Sequence, residues 1–229
     1  MSETLDYFEQ LGTHVDQRWT ATGRLNDNLP DIGADALRDM PVPDSLTPES
    51  ILGLLAIGGG LPKQRSGSDP FGQPPMIVYR SEGLEIQAIT WMEGTTSIHQ
   101  HGFDGAFRVM HGSSLHVPYR FEHAETLADG HLVAGDLAMD RSEILRPGDV
   151  RTIVSGFDFI HALFHLERPS VTVVVRNGWS NLPFPQFEYR LPGIGYDSLA
   201  VDDLLDLRLR GLSSLHRIDS GAAQRAALE

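Results

Sequence analysis

The chain has 229 residues, 41% of them apolar, with no cysteine, and its 18 basic against 31 acidic side chains give a formal net charge of −13. That size fits one compact domain with extensions, and the acidic balance excludes the basic surfaces that nucleic acid and anionic membranes require. The absence of cysteine excludes disulfides, thiolate metal sites, iron–sulfur clusters and cysteine nucleophiles, and no apolar run approaches the ~18 residues of a membrane span.

In chain order, the acidic opening MSETLDYFEQ lacks the basic-then-apolar order of a secretory signal, so a cytoplasmic protein is expected. Residues 3–11 set Leu5, Phe8 and Leu11 at helical spacing behind Ser2 as an N-cap. Segment 26–48, with Pro30, Pro41, Pro43 and Pro48, reads as surface coil with short helical turns. Pro48 then opens a helix over ESILGLLAI that Gly58-Gly59-Gly60 stops, and 62–75 reads as a loop.

From Met76 the texture changes to short alternating runs. Strands are expected at 76–80, 84–92, 97–101, 106–111, 114–121, 131–139, 142–145, 149–154, 159–166 and 171–176, punctuated by Gly94, Gly105, Gly112, Gly130, Gly148 and Gly156. In 114–121 the order Leu115, Val117, Tyr119, Phe121 keeps a period of two. About ten short strands without intervening helices predict an all-β jelly-roll barrel. The tail returns to helix over 198–210, with Leu199, Leu204, Leu205 and Leu207 near one face, and GAAQRAALE is expected to fray. The domain reading is a helical or irregular extension over 1–75, a barrel over 76–180 and a C-terminal extension with a helix over 181–229.

The chemistry lies in the ten histidines. His99-Gln100-His101 puts two imidazoles on the same side of a strand, about 6–7 Å apart along the chain. Leaning inward, each ring can reach the ~2.0–2.2 Å of a metal–nitrogen bond. Such a pair also arises by chance on a surface strand, so a third ligand from another strand is needed; His161, in FIHALFH after the Pro147-Gly148-Asp149 turn, supplies it. His165 shares that face but stands roughly 13 Å further on, too far to join the same ion from a regular strand. Neutral nitrogen ligation suits iron, nickel, copper or zinc, and an open three-histidine site suits catalysis better than structure. Gln100 is expected to point away and be exposed. Trp91, Phe107, Phe157, Phe159 and Phe164 can wall the metal pocket or pack as plain core. His111, His116, His123 and His131 are expected at the surface or behind the ligands.

The block GTTSIHQHGFDGAFRVMHGSS over 94–114 resembles the first metal motif of the cupin superfamily, with Gly94, His99, His101 and Gly112 in order, and PGDVRTIVSGFDFIHALFH over 147–165 resembles the second, with His161. The general cupin pattern carries a glutamate seven residues before the later glycine; here that position is Gly105, with Asp104 beside it. Three histidines without the glutamate are similar to the cysteine dioxygenase-like (thiol dioxygenase) branch. The likeness extends to Tyr79-Arg80, Trp91 and ERPSVTVVV at 167–175, about a hundred residues in all. Two features of that branch are missing. Ala106 stands where a crosslinking cysteine would be, with Arg176 near the place of its tyrosine, and VTVVVR has neither the histidine nor the tyrosine of a Ser-His-Tyr relay.

The resemblance implies a cupin-type jelly-roll barrel with helical N- and C-terminal extensions. It further implies a mononuclear non-haem iron(II) oxygenase in which His99, His101 and His161 hold the metal. Arg80 matches the branch's carboxylate-binding arginine, although it could equally pair with Glu82 or Glu85, and His165 is a candidate to manage a proton. The expected partners are a small carboxylate-bearing substrate, thiols included, and dioxygen; pairing through strand edges, as cupins do, would give a homodimer. Nickel, zinc or manganese in a non-oxidative isomerase, lyase or hydrolase is the alternative, and a non-catalytic ligand-binding cupin is a third.

Overall fold

The computed structural model describes residues 3–57, 60–64, 72–92, 96–127, 130–178, 182, 184–197, 200 and 202–227. Three helices lead in: α1 (Glu3–Ala21), α2 (Leu29–Asp39) and α3 (Pro48–Ile57). Twelve strands follow: β1 (Pro75–Ser81), β2 (Leu84–Trp91), β3 (Ile98–Gln100), β4 (Gly105–His111), β5 (Ser114–Leu127), β6 (Leu132–Met139), β7 (Glu143–Leu145), β8 (Val150–Ile153), β9 (Ile160–His165), β10 (Ser170–Asn177), β11 (Phe187–Arg190) and β12 (Ile194–Asp197). Helices α4 (Asp203–Ile218) and α5 (Ser220–Ala227) close the chain. Among the described residues no helix is long and apolar enough to cross a membrane.

One sheet runs β1-β2-β10-β4-β8 and the other β6-β12-β11-β3-β9-β5-β7, with every recorded pairing antiparallel. Taking β2, β3, β4, β5, β7, β8, β9 and β10 as strands one to eight, the sheets contain the orders 1-8-3-6 and 2-7-4-5. That interleaving is the pair of Greek keys of a jelly roll. The expected all-β barrel with helical extensions is therefore present.

Residue alternation explains why helices cover one sheet. In β10, Val171, Val173 and Val175 join Leu84, Ile86 and Ala88 of β2 in a core shared with Phe8, Leu11 and Val15 of α1 and Leu37 of α2. The intervening Val174 packs with Phe107, Val109 and Ile153 on the barrel's inner side. A strand apolar on both faces must be covered on both, and the lead-in helices supply the outer layer.

The N-terminal helix runs ten residues past the expected 3–11, because Val15 and Trp19 continue its buried stripe; the Ser2 cap lies outside the described residues. Segment 26–48 is not coil throughout. It contains α2, whose Pro30 sits in the first turn, where a missing N–H costs no hydrogen bond. Gly58, Gly59 and the segment 65–71 lie outside the described residues.

The C-terminal extension also departs from expectation. Residues 187–197 form the β11–β12 hairpin, with Tyr189 and Tyr196 fully buried. β11 adds to the edge of β3, and β12 pairs with β6, which returns to the second half of β5. The larger sheet thereby closes on itself around Phe121, Val133, Ile160, Phe187 and Tyr189. The turn of direction in β5 is a bulge between Glu122 and Glu125, with His123 at φ 53°. Helix α4 starts at Asp203, N-capped by Asp202, whose carboxylate accepts from the backbone N–H of Leu204 and Leu205. Its buried face carries Leu209, while Leu204 and Leu207 are exposed, and Leu199 is outside the described residues. Tyr196 Oη donates to Asp206, tying α4 to the hairpin, and residues 220–227 are helical where fraying was expected.

Gly12 is where α1 lies against β1. A Cβ at this position would collide with the ring of Tyr79. Gly12→Ala is expected to lower unfolding free energy by about 1–3 kcal/mol, the range for overpacking. Urea denaturation measures this, and an unchanged midpoint would contradict the tight α1–β1 seam.

Candidate metal centre

Antiparallel register builds the site. His99 on β3 is directly opposite His161 on β9, so the two side chains share a face. His101, two residues past His99, lies just beyond the end of β3 and turns to the same side. The ring centroids are 4.8 Å apart for His99 and His101, 4.7 Å for His99 and His161, and 5.1 Å for His101 and His161. One ring nitrogen from each of the three falls within 4.8 Å of the other two.

His101 Nε2 and His161 Nε2 stand 3.0 Å apart. Two nitrogens bound cis at right angles, each about 2.1 Å from one ion, would be separated by about that distance. His99 directs Nδ1 at Ser97 O, 2.8 Å away, which places its proton there and the lone pair on Nε2. Burial lowers His99 to about 4 and carries His101 and His161 well below the ordinary imidazole value; the neighbouring imidazoles add to the effect. Three neutral imidazoles with convergent lone pairs are the form in which histidine ligates. The donor set fits a metal ion.

The walls are aromatic. Phe103 lies 4.7 Å and Phe159 5.8 Å from His101, and Phe159 lies 4.6 Å and Phe107 6.2 Å from His161. Phe157 and Phe164, read as pocket wall or plain core, are instead exposed. Trp91 stacks on His165 at 4.6 Å.

The position of the general cupin glutamate has no room for a side chain: a Cβ at Gly105 would collide with the carbonyl oxygen of Val175. Asp104 does not replace it, because its carboxylate accepts the backbone N–H of Ser155 at 2.9 Å. Gln100 is not exposed as expected but 2% accessible. It donates to Pro185 O at 2.8 Å and accepts from Tyr189 Oη at 2.5 Å, since the β11 hairpin covers that side of β3.

Arg80 extends across the other sheet to Glu85, 2.9 Å away, and to Lys63 O at 2.7 Å. Glu85 in turn faces Arg176 of β10 in cross-strand register, so Arg80, Glu85 and Arg176 form one row. Arg176 is buried, with its guanidinium 3.7 Å over the Phe103 ring that also touches His101. His165 lies on the His161 face further along β9, outside the group of three, with Nδ1 2.9 Å from Ser114 Oγ.

His116 was not singled out from the sequence as part of the site. It is buried on β5, 5.1 Å from His161 and 6.0 Å from Phe159. The apolar alternation Leu115, Val117, Tyr119, Phe121 draws attention to the wrong face here; in the first half of β5, Ser114 and His116 point into the barrel. The Ser-X-His spacing itself is the signal that could have shown this.

No protein-family model matches the chain, and no curated protein does. Solved structures with a similar arrangement include a cupin-2 domain protein from Shewanella frigidimarina (16% identity, covering 45% of this chain and 79% of that one, TM-score 0.31). KdgF from Halomonas sp. is similar at 17% identity (45% and 77% covered, TM-score 0.32). Hydroquinone 1,2-dioxygenase from Sphingomonas sp. TTNP3 is similar at 13% identity (47% and 66% covered, TM-score 0.36). The fold assignment rests on the strand order above: a jelly roll with helical extensions, enclosing a three-histidine group placed to hold a metal ion.

Burial, with a smaller contribution from Arg168, lowers His165 to about 4 from 6.5. Between those values the unfolded chain binds the proton that the folded one refuses, so this contribution is complete above pH 6.5 and is lost as pH falls toward 4. His165→Gln should flatten unfolding free energy against pH in that window by up to about 1.4 kcal/mol per unit. Equal slopes for both proteins in urea titrations would contradict a neutral, buried His165.

Proposed function

We propose that the chain is a mononuclear non-haem iron(II) oxygenase acting on a small carboxylate-bearing substrate, with thiols the first class to test. The 3.0 Å approach of His101 Nε2 and His161 Nε2 beside His99, in a site without thiolate or glutamate, carries this reading. Iron(II) held by His99, His101 and His161 would supply a redox-active centre with open positions for a substrate and dioxygen.

The chain's own residues do the rest. Phe103, Phe107 and Phe159 exclude water and confine the site to small ligands. Arg80, at the outer end of the Arg80–Glu85–Arg176 row, is the guanidinium this reading assigns to a substrate carboxylate at that side of the barrel. In this row Arg80 is the partly exposed outer member and Arg176 the buried one. His165, neutral and joined to Ser114, is the imidazole this reading assigns to hydrogen bonding beside the centre, its burial setting it against taking up a proton. The thiol dioxygenase resemblance enters here, with Ser114–His165 in place of a Ser-His-Tyr relay. Nucleic acid and membranes are not partners in this reading.

Elemental analysis of protein purified without added metal, followed by anaerobic iron(II) reconstitution and nitric oxide EPR, tests it. Near-stoichiometric iron and an iron–nitrosyl signal are expected, with His99→Ala losing both. A His99→Ala protein that keeps stoichiometric metal, or substrate turnover that continues undiminished without dioxygen, would overturn the assignment.

A further inference from the structure

Resting on the metal-centre reading above, we infer that His116 is a fourth imidazole donor of that centre, taking the place of the carboxylate that Gly105 cannot provide. His116 Nδ1 lies 3.0 Å from Glu143 Oε1. Glu143 is gripped by Arg151 through both oxygens, Nε to Oε1 at 2.8 Å and Nη2 to Oε2 at 2.5 Å, a bidentate pairing that requires the ionised carboxylate. An ionised carboxylate can only accept, so the His116 proton sits on Nδ1 and the lone pair on Nε2. Nε2 is buried and has no hydrogen-bond partner among the described residues. Its ring meets His161 edge-on at 5.1 Å, the separation at which His101 and His161 already bring their Nε2 atoms together.

A carboxylate behind the far nitrogen is the support that metal-bound histidines commonly have. Among the candidate donors here, only His116 has one: His99 has a backbone carbonyl, and the Nδ1 atoms of His101 and His161 have no partner among the described residues. The remaining faces of the His116 ring meet Phe107 at 6.4 Å and Phe159 at 6.0 Å, which offer no hydrogen bond to a lone pair. A buried acceptor so placed is costly unless something fills it. The Arg151–Glu143 clamp holds Nδ1, and ligation requires Nε2 to move toward the other three about that anchor. His116 lies outside the tight group of three, so the inference requires this closure when metal binds.

The test uses the full chain loaded with Cu(II), counting coordinated imidazoles by pulsed EPR, with Zn(II) affinity measured by chelator competition. Four imidazoles are expected in the wild type and three in His116→Phe, with affinity about 10–100-fold weaker in that variant. Glu143→Gln should weaken affinity by about 10-fold, the scale for losing a partner behind a ligand. Three imidazoles in the wild type, or an unchanged count and affinity in His116→Phe, would overturn the inference while leaving the three-histidine centre intact. A wild type that binds neither metal, or a His99→Ala variant with undiminished affinity, would overturn both. The wild-type count needs no variant, so a misfolded His116→Phe does not block the decision.

Discussion

Four imidazoles are crowded into a barrel interior of aromatic carbon, and desolvation drives every one of them neutral. A neutral imidazole keeps one N–H and one lone pair, and each is costly to bury unmet, at about 1–3 kcal/mol. Ser97 O and Glu143 meet two of these needs. The Nε2 atoms of His101 and His161 meet one another at 3.0 Å instead of solvent, an arrangement that a cation between them also satisfies. The β3–β9 register and the attachment of β5 to β9 are what keep those rings converging.

Such an interior is tolerable only because stability is supplied elsewhere. The valines of β10 and the aliphatic residues of β2 are buried outward against α1 and α2. The same strands turn Glu85, Gln87, Thr172 and Arg176 inward. Burial of the outer face thus offsets the polarity of the inner one, and the helical lead-in is part of the site's physics although it contributes no ligand. The β11–β12 hairpin does the equivalent for the other sheet: it covers the edge of β3 and satisfies Gln100, whose amide would otherwise loosen the strand carrying His99.

Local spacing made part of this legible. His99 and His101 share a side by strand alternation, and four residue steps along a strand separate His165 from His161. The jelly roll followed from closely spaced strands without helices between them. What spacing could not convey was the third dimension. Gln100 is buried by a hairpin almost ninety residues later in the chain, at Tyr189. Leu204 and Leu207 of α4 are exposed, and the helix meets the hairpin through Asp206, which Tyr196 holds, a contact that spacing alone does not convey. α2 was obscured by prolines, of which only Pro30 lies within it, in the one turn where proline is harmless. His116 was hidden by its neighbours: an apolar alternation looks like the core face, but a barrel whose interior is polar reverses that expectation over the first half of β5.

The two guanidinium–carboxylate systems around the histidines are not equivalent, and their difference gives the interior a direction. On the β5–β8 side, Arg151 and Glu143 cancel, and their product is a neutral, oriented His116. On the β2–β10 side, Arg80 and Arg176 flank Glu85, and Arg176 adds to the burial and the His99 ring that depress His101. In the reading proposed above, ligation belongs to the first side and substrate binding to the second, with His99, His101 and His161 between them. Phe103, in contact with both the Arg176 guanidinium and the His101 ring, is the residue through which the two functions meet.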